Sequence, residues 1–170
     1  MTTTTASARD DVEAIKQLKA RYFRLMDTKQ WDEWRGVFAD DCRFEGTSRA
    51  YAGPDEFVAG TRARLDPAIT IHQGHMPEIV LTGEGTARGV WAMFDWVEWP
   101  EPIDHGRGFG LGFSGYGHYE EEYRREGGVW KIASLRLTRL LLRPIEGELP
   151  PPLAGDGVVS SRGRDWLAGS

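Results

Sequence analysis

Val12-Glu-Ala-Ile-Lys-Gln-Leu-Lys-Ala-Arg-Tyr-Phe-Arg-Leu-Met-Asp27, running on into Thr28-Lys-Gln-Trp31, is the stretch whose reading decides the fold. Val12, Ile15, Leu18, Tyr22 and Leu25 recur at spacings of three and four, which predicts one long helix with a single apolar face. Asp10 or Asp11 suits its start, where acidic side chains meet unpaired backbone N–H groups. Asp27 falls where the apolar face should continue. It is either the end of the helix or a buried carboxylate, and the functional reading turns on which.

The chain has 170 residues, a length that predicts one domain with a full core. Charged residues make up 28% and apolar ones 40%, as in ordinary globular proteins. A net charge of −5 and the lack of any Lys/Arg run argue against a nucleic-acid surface. Cys42 stands alone, so no internal disulfide can form, which suits a reducing, cytoplasmic setting. No Asn occurs, hence no N-glycosylation site. Residues 1–10 lack an apolar segment and read as a flexible leader, not a signal peptide. No apolar run approaches membrane-spanning length.

Outward from the first helix, Trp31 to Phe38 reads as a short second helix. Cys42–Glu45 and Ser48–Tyr51 read as short strands around Gly46. Gly53-Pro54-Asp-Glu starts a third helix that runs to about Leu65. From Ile69 the period changes to two. Ile69, Ile71, Gln73 and His75 share one face, and Thr70, His72 and Gly74 the other. Pro77 interrupts this strand, Ile79-Val-Leu81 resumes it, and Gly83-Glu-Gly85 turns the chain into a strand over Thr86–Trp99. That strand is apolar on both faces: Trp91, Met93 and Val97 on one, Val90, Phe94 and Trp96 on the other. Pro100–Gly112 reads as a mobile loop. Its Gly110-Leu-Gly112-Phe-Ser-Gly115 string has the G-x-G-x-x-G form but no following helix, so it is no nucleotide fingerprint. Phe113–Arg125 and Val129–Leu142 form a last hairpin about Gly127 and Gly128. The Pro- and Gly-rich segment 144–170 reads as a surface tail. Helices followed by long antiparallel strands make an α+β fold.

Four polar side chains interrupt apolar patterns: Asp27 on the first helix, His72 on a strand, Asp95 beside Trp91, Met93 and Val97, and Arg139 beside Ala133, Leu135, Leu137 and Leu141. A charge on an apolar face must be paired or line a polar cavity. Tyr22 joins them, since a buried hydroxyl needs a partner. Each has a plainer reading. His72 could bond a backbone carbonyl, Asp27 could end a helix, Asp95 and Arg139 could be a structural ion pair, and Tyr22 could be core. His75, His105 and His118 read as loop or surface residues. His72 and His75 lie on opposite strand faces, so no metal site is expected.

Together, Ala14–Trp31, Ile71-His-Gln-Gly-His-Met-Pro-Glu-Ile79 and Gly128-Val-Trp-Lys-Ile132 resemble the SnoaL-like branch of the nuclear transport factor 2 superfamily, over roughly residues 11–143. Within it the chain is most similar to the bacterial bile acid 7α-dehydratases. Scytalone dehydratase and hexachlorocyclohexane dehydrochlorinase are more distant. The resemblance implies a cone-shaped α+β barrel: a strongly curved, mainly antiparallel sheet around a long N-terminal helix, with a pocket at the open end. It implies Tyr22, Asp27, His72, Asp95 and Arg139 as catalytic residues. Met26 stands where scytalone dehydratase has a Tyr, and the Asn that enzyme uses late in the sheet is absent, which argues against scytalone as substrate.

The resemblance further implies elimination chemistry without a cofactor or metal. His72 would be the base, Asp27 its partner, Tyr22 a donor to the substrate oxygen, and Asp95 and Arg139 a second polar pair. Met26, Trp91, Met93, Phe94 and Phe113 are the expected walls for an apolar polycyclic hydroxy-ketone such as a steroid, terpenoid or aromatic polyketide. The expected activity is that of a dehydratase. A SnoaL-type cyclase or ketosteroid-type isomerase, and the non-catalytic small subunit of a ring-hydroxylating dioxygenase, are the alternatives. The relatives are homotrimers, so a homo-oligomer is expected, with no nucleic-acid or membrane partner.

Overall fold

The structure is a computed structural model. It describes residues 3–47, 49–103, 110–145, 162–163 and 167, without the side chains of 3–7. In chain order the elements are α1 (Thr3–Asp27), α2 (Trp31–Arg35), β1 (Phe38–Glu45), α3 (Pro54–Leu65), β2 (Ile69–Gly83), β3 (Thr86–Glu98), β4 (Gly112–Glu126) and β5 (Val129–Pro144). The strands form one five-stranded sheet in the order β1-β5-β4-β3-β2. β1 runs parallel to β5, and the other pairs are antiparallel. The sheet curls over α1, giving the expected α+β cone.

α1 buries Ile15, Leu18, Tyr22, Leu25 and Met26, the face that the spacing predicts. It starts at Thr3, so residues 3–10 are helical and not a loose leader. α2 is shorter than expected. Gly36 and Val37 bond back to Glu33 and Trp34 in a tight turn, and Phe38 already belongs to β1. The solvent-facing Asp40 and Asp41 hide the start of that strand in the sequence, although Phe38, Ala39 and Cys42 are buried. Arg49–Tyr51 lie in no strand, and Ser48 is outside the described residues. α3 covers one end of the core, where Phe57 stacks on Phe44 with ring centroids 3.9 Å apart.

Pro77 does not break β2. The strand lies at the sheet edge, where a missing N–H costs no ladder bond, and a bulge between His75 and Glu78 absorbs the residue. Two register shifts change the inward set of β5. One, at Ala133, puts Ile132 rather than Ala133 inward with Leu135. The other, between Arg139 and Leu141, leaves Leu141 39% exposed while Leu142 turns inward. A single extra residue inverts the parity of everything beyond it. Among the described residues no helix is long and apolar enough to cross a membrane.

Candidate active site

α1 closes in a Schellman motif. Thr28 N–H still bonds Arg24 C=O at 2.9 Å, then Lys29 N–H bonds Met26 C=O at 3.1 Å and Gln30 N–H bonds Leu25 C=O at 2.8 Å. Lys29 takes the left-handed position, φ 64°, where glycine is usual. Asp27 therefore sits in an intact last turn. Tyr22 and Asp27 are separated by about 140° around such a helix, and the structure uses that divergence. Tyr22 faces the interior cavity, while Asp27 reaches across to β2.

On β2, alternate residues Thr70 and His72 face Asp27. Asp27 Oδ2 accepts the backbone N–H of His72 at 2.7 Å, and Oδ1 accepts the Thr70 hydroxyl at 2.9 Å. The same Oδ1 lies 2.7 Å from His72 Nδ1. A carboxylate offers only acceptors, so Nδ1 carries a proton, and in the neutral ring Nε2 is the nitrogen with the lone pair. The His72 side chain is 6% exposed and lines the cavity, with Asp27 behind it.

The second polar pair lies beside it. His72 is directly opposite Asp95 on β3, and Asp95 opposite Gly115 on β4. Arg139 reaches over Gly115 from β5 and grips Asp95 with two hydrogen bonds, Nη1 to Oδ1 at 2.7 Å and Nη2 to Oδ2 at 2.6 Å. A Cβ on Gly115 would lie 2.2 Å from Arg139 Nη1 and 2.3 Å from Asp95 Oδ1, so only glycine lets the pair cross the strand. Burial works against the Arg139 charge, but the hydrogen bonds and charge of Asp95 outweigh it and raise the guanidinium above its ordinary range.

A third group escaped the sequence reading. Lys19 is fully buried, its Nζ 2.5 Å from Glu121 Oε1 and 3.7–3.8 Å from the ring centroids of Tyr119 and Tyr22. The Tyr123 hydroxyl bonds Glu121 and accepts Trp91 Nε1–H at 2.8 Å. Burial lowers Lys19 to about 8 despite the upward pull of Glu121. Tyr22 and Tyr119 hydrogen-bond each other, and both are raised above the ordinary phenol range, chiefly by burial. Lys19 sits one residue past Leu18 on a helix rich in Lys and Arg, where a solvated side chain is the ordinary expectation. Glu121 shares the inward face of β4 with Tyr119 and Tyr123 and meets Lys19 there.

These groups surround a cavity of about 170 Å³. Tyr22, Tyr119, His72, Asp95 and Arg139 supply its polar wall, and Met26, Phe113, Phe57, Leu137 and Leu142 much of its apolar wall. Met26 and Phe113 thus stand where expected. Trp91, Met93 and Phe94 do not line it. Trp91 is held in the core by Tyr123, and Met93 lies buried with its sulfur 3.8 Å from Arg139 Nη1. Phe94 is on the opposite, outer face of β3, its ring centroid 5.2 Å from that of Tyr116. Trp91, Met93 and Val97 share the buried side of β3, as their alternation predicts, but the cavity meets only Asp95 and Val97 of this strand. Tyr51, Trp34 and Thr61 also line the cavity. His75 is exposed and His118 half-buried, while His105 and loop residues 104–109 lie outside the described set. Among the described residues no cluster of His, Cys, Asp and Glu could hold a metal. Burial pushes the Cys42 thiol up to about 12, which leaves it a poor nucleophile.

Comparison with known proteins agrees with this architecture. A probable cyclase of Gibberella zeae is 25% identical over 138 residues, 74% of this chain and 89% of its own. Among solved structures, a type 2 hexachlorocyclohexane dehydrochlorinase superposes with a TM-score of 0.72 at 20% identity, over 88% of this chain and 99% of its own. A putative scytalone dehydratase from Novosphingobium aromaticivorans gives 0.73 at 16% identity, over 92% and 100%. At such identities these two likenesses are of fold. The family model of the SnoaL-like domain matches residues 7–136, spanning the helix that carries Tyr22 and Asp27 and the strands that carry His72 and Asp95. The chain belongs to the SnoaL-like domain family.

Proposed function

We propose that the protein is a cofactor-independent dehydratase that eliminates water from a cyclic β-hydroxy ketone or its vinylogue. The observation that carries this is the Asp27–His72 pair, in which one carboxylate holds both the ring and the backbone of a histidine that lines the cavity. Nε2 takes the proton alpha to the carbonyl, and the electron pair moves into the enolate. Tyr22 and Tyr119 lie hydrogen-bonded to each other on the same cavity wall, and the hydroxyl whose proton that bond leaves free donates to the enolate oxygen. As the enolate collapses, the β C–O bond breaks and the imidazolium returns its proton to the departing hydroxide, giving enone and water. Asp27 stabilises the imidazolium in between.

The cavity, at about 170 Å³, is smaller than the roughly 300–1,000 Å³ of pockets that enclose drug-sized ligands. It suits the reacting ring of a flat substrate, with further rings of a steroid, terpenoid or polyketide lying toward the mouth. A second reading, a cyclase using the same acid–base groups, is favoured by the cyclase name of the Gibberella zeae relative. The intact dyad speaks against a purely structural subunit.

The test is incubation with a panel of hydroxy-ketosteroids and hydroxylated polyketides, followed by mass spectrometry. Loss of one water, absent with His72→Ala, is expected. His72-dependent conversion without a mass change would replace the dehydratase with a cyclase or isomerase. Conversion that survives His72→Ala would sink the mechanism.

A further inference from the structure

Lys29 is the only non-glycine residue with positive φ among the described residues, at 64°. It stands at the helix end where glycine costs least. A strained position kept by a bulky residue points to a use for its side chain. That side chain turns back to β2, where Nζ donates to Thr70 Oγ1 at 2.7 Å. An ammonium has no acceptor, so the Thr70 oxygen must receive from Lys29, and its single proton goes to Asp27 Oδ1, 2.9 Å away. Oδ1 is also the oxygen 2.7 Å from His72 Nδ1. The four groups form one directed chain, Lys29 to Thr70 to Asp27, meeting His72 at a shared oxygen.

We propose that Lys29 and Thr70 are positioning residues that fix the Asp27 carboxylate and restrain the basicity of His72. This rests on the reading of Asp27–His72 as the acid–base pair. The physical reason is competition. The Thr70 hydroxyl and the imidazole N–H draw on the same carboxylate oxygen, and the nearby ammonium offsets part of the Asp27 charge. Each makes Asp27 a weaker partner for an imidazolium. His72 then stays neutral, ready to accept a proton, at a lower pH than with an unrestrained Asp27. The other charged groups that act on Lys29 are Asp66, which favours its charge, and Arg162, which opposes it. Trp31 adds its ring 5.7 Å from Nζ.

The experiment is an NMR titration of His72 in the full chain labelled with ¹⁵N-histidine, which needs no substrate. Lys29→Gly and Thr70→Val should each raise the His72 pKa by roughly 0.3–1 unit, a two- to tenfold gain in proton affinity. Asp27→Asn should lower it. Lys29→Gly should keep or raise the melting temperature, because glycine suits the backbone there. Lys29→Met, which keeps most of the aliphatic stem, should shift the His72 pKa as glycine does. If Asp27→Asn lowers the His72 pKa but Lys29→Gly or Thr70→Val leaves it unchanged, the inference is overturned and the dyad stands. If Asp27→Asn has no effect either, the dyad reading has failed.

Discussion

In the proposed mechanism Asp27 governs the chemistry, because one small carboxylate bonds the ring and backbone of His72 and the hydroxyl of Thr70. Replacing it with Asn keeps the shape but allows the amide to donate where the acid only accepts, favouring the wrong imidazole tautomer. Asp27→Asn should therefore lower kcat by about 10²–10⁴-fold with little change in KM, read by steady-state kinetics on whichever panel substrate turns over. Tyr22→Phe should be milder, since Tyr119 remains on the same wall as a donor. At Cys42, burial pushes the thiol to about 12. The native protein should thus resist iodoacetamide at pH 8 and be alkylated promptly in urea, as intact-mass spectrometry will show. Rapid alkylation of the folded protein would mean that β1 opens far more readily than its burial implies.

At the scale of elements, three adjacent strands must cooperate to seat the Asp95–Arg139 pair. Gly115→Ala puts a methyl group within 2.3 Å of both partners, so it should break the pair while both residues remain in the sequence. Arg139→Met leaves Asp95, whose side chain is only 3% exposed, without its counter-charge. Removing one partner of a buried pair costs about 3–5 kcal/mol, which should appear as a lowered urea midpoint. Lys19 and Glu121 join α1 to β4 in the same way. Lys19→Met should be similarly costly, and the double variant Lys19→Met with Glu121→Gln should recover much of the loss. A double variant no better than the single one would show that the Lys19 stem, packed between Tyr22 and Tyr119, matters more than its charge.

The whole molecule carries an apolar outer sheet surface. Phe94, Tyr116 and Leu141 align across β3, β4 and β5, and Ile71 lies opposite Trp96. Ile71 is 45% exposed and Tyr116 47%. A contiguous surface of this kind marks association, and we propose that it joins copies of the chain, as a trimer on the family resemblance. Light scattering should then give about three times 19.1 kDa, and a monomer at micromolar concentration would refute it. The interior also sets the alkaline limit. Burial raises Tyr22, Tyr119 and Tyr123 above the ordinary phenol range and pushes the Cys42 thiol up to about 12. Groups whose folded pKa is raised contribute stability below their unfolded pKa and lose it as pH rises. Lys19 and Lys29, lowered to about 8 chiefly by burial, act oppositely between pH 8 and the unfolded lysine value of about 10.4. The urea midpoint should therefore hold to about pH 9 and fall steeply above 10. The phenolate absorbance of the buried Tyr22, Tyr119 and Tyr123 should appear together with unfolding.

Periodicity alone determined most of the fold. The α1 face, the β2–β3 and β4–β5 hairpins and the inward side of β3 follow from spacings of 3.6 and 2, because burial acts on whole faces. Asp27, His72, Asp95 and Arg139 were legible because a charge on an apolar face demands a partner. Asp95 and Arg139, 44 positions apart, already read as an ion pair from their opposite charges on apolar faces, whereas the pairing of Asp27 with His72, 45 positions on, came only from the family resemblance. Lys19 stayed hidden because its partner Glu121 lies 102 positions away, on a strand that reads as charged. Phe94 and Leu141 show the opposite limit. An apolar residue on a doubly apolar strand can face the cavity or the outside, and a single bulge in β5 reverses the parity. Sequence thus determined which residues needed company, whereas the curl of the sheet and the bulges of its strands decided which company they found.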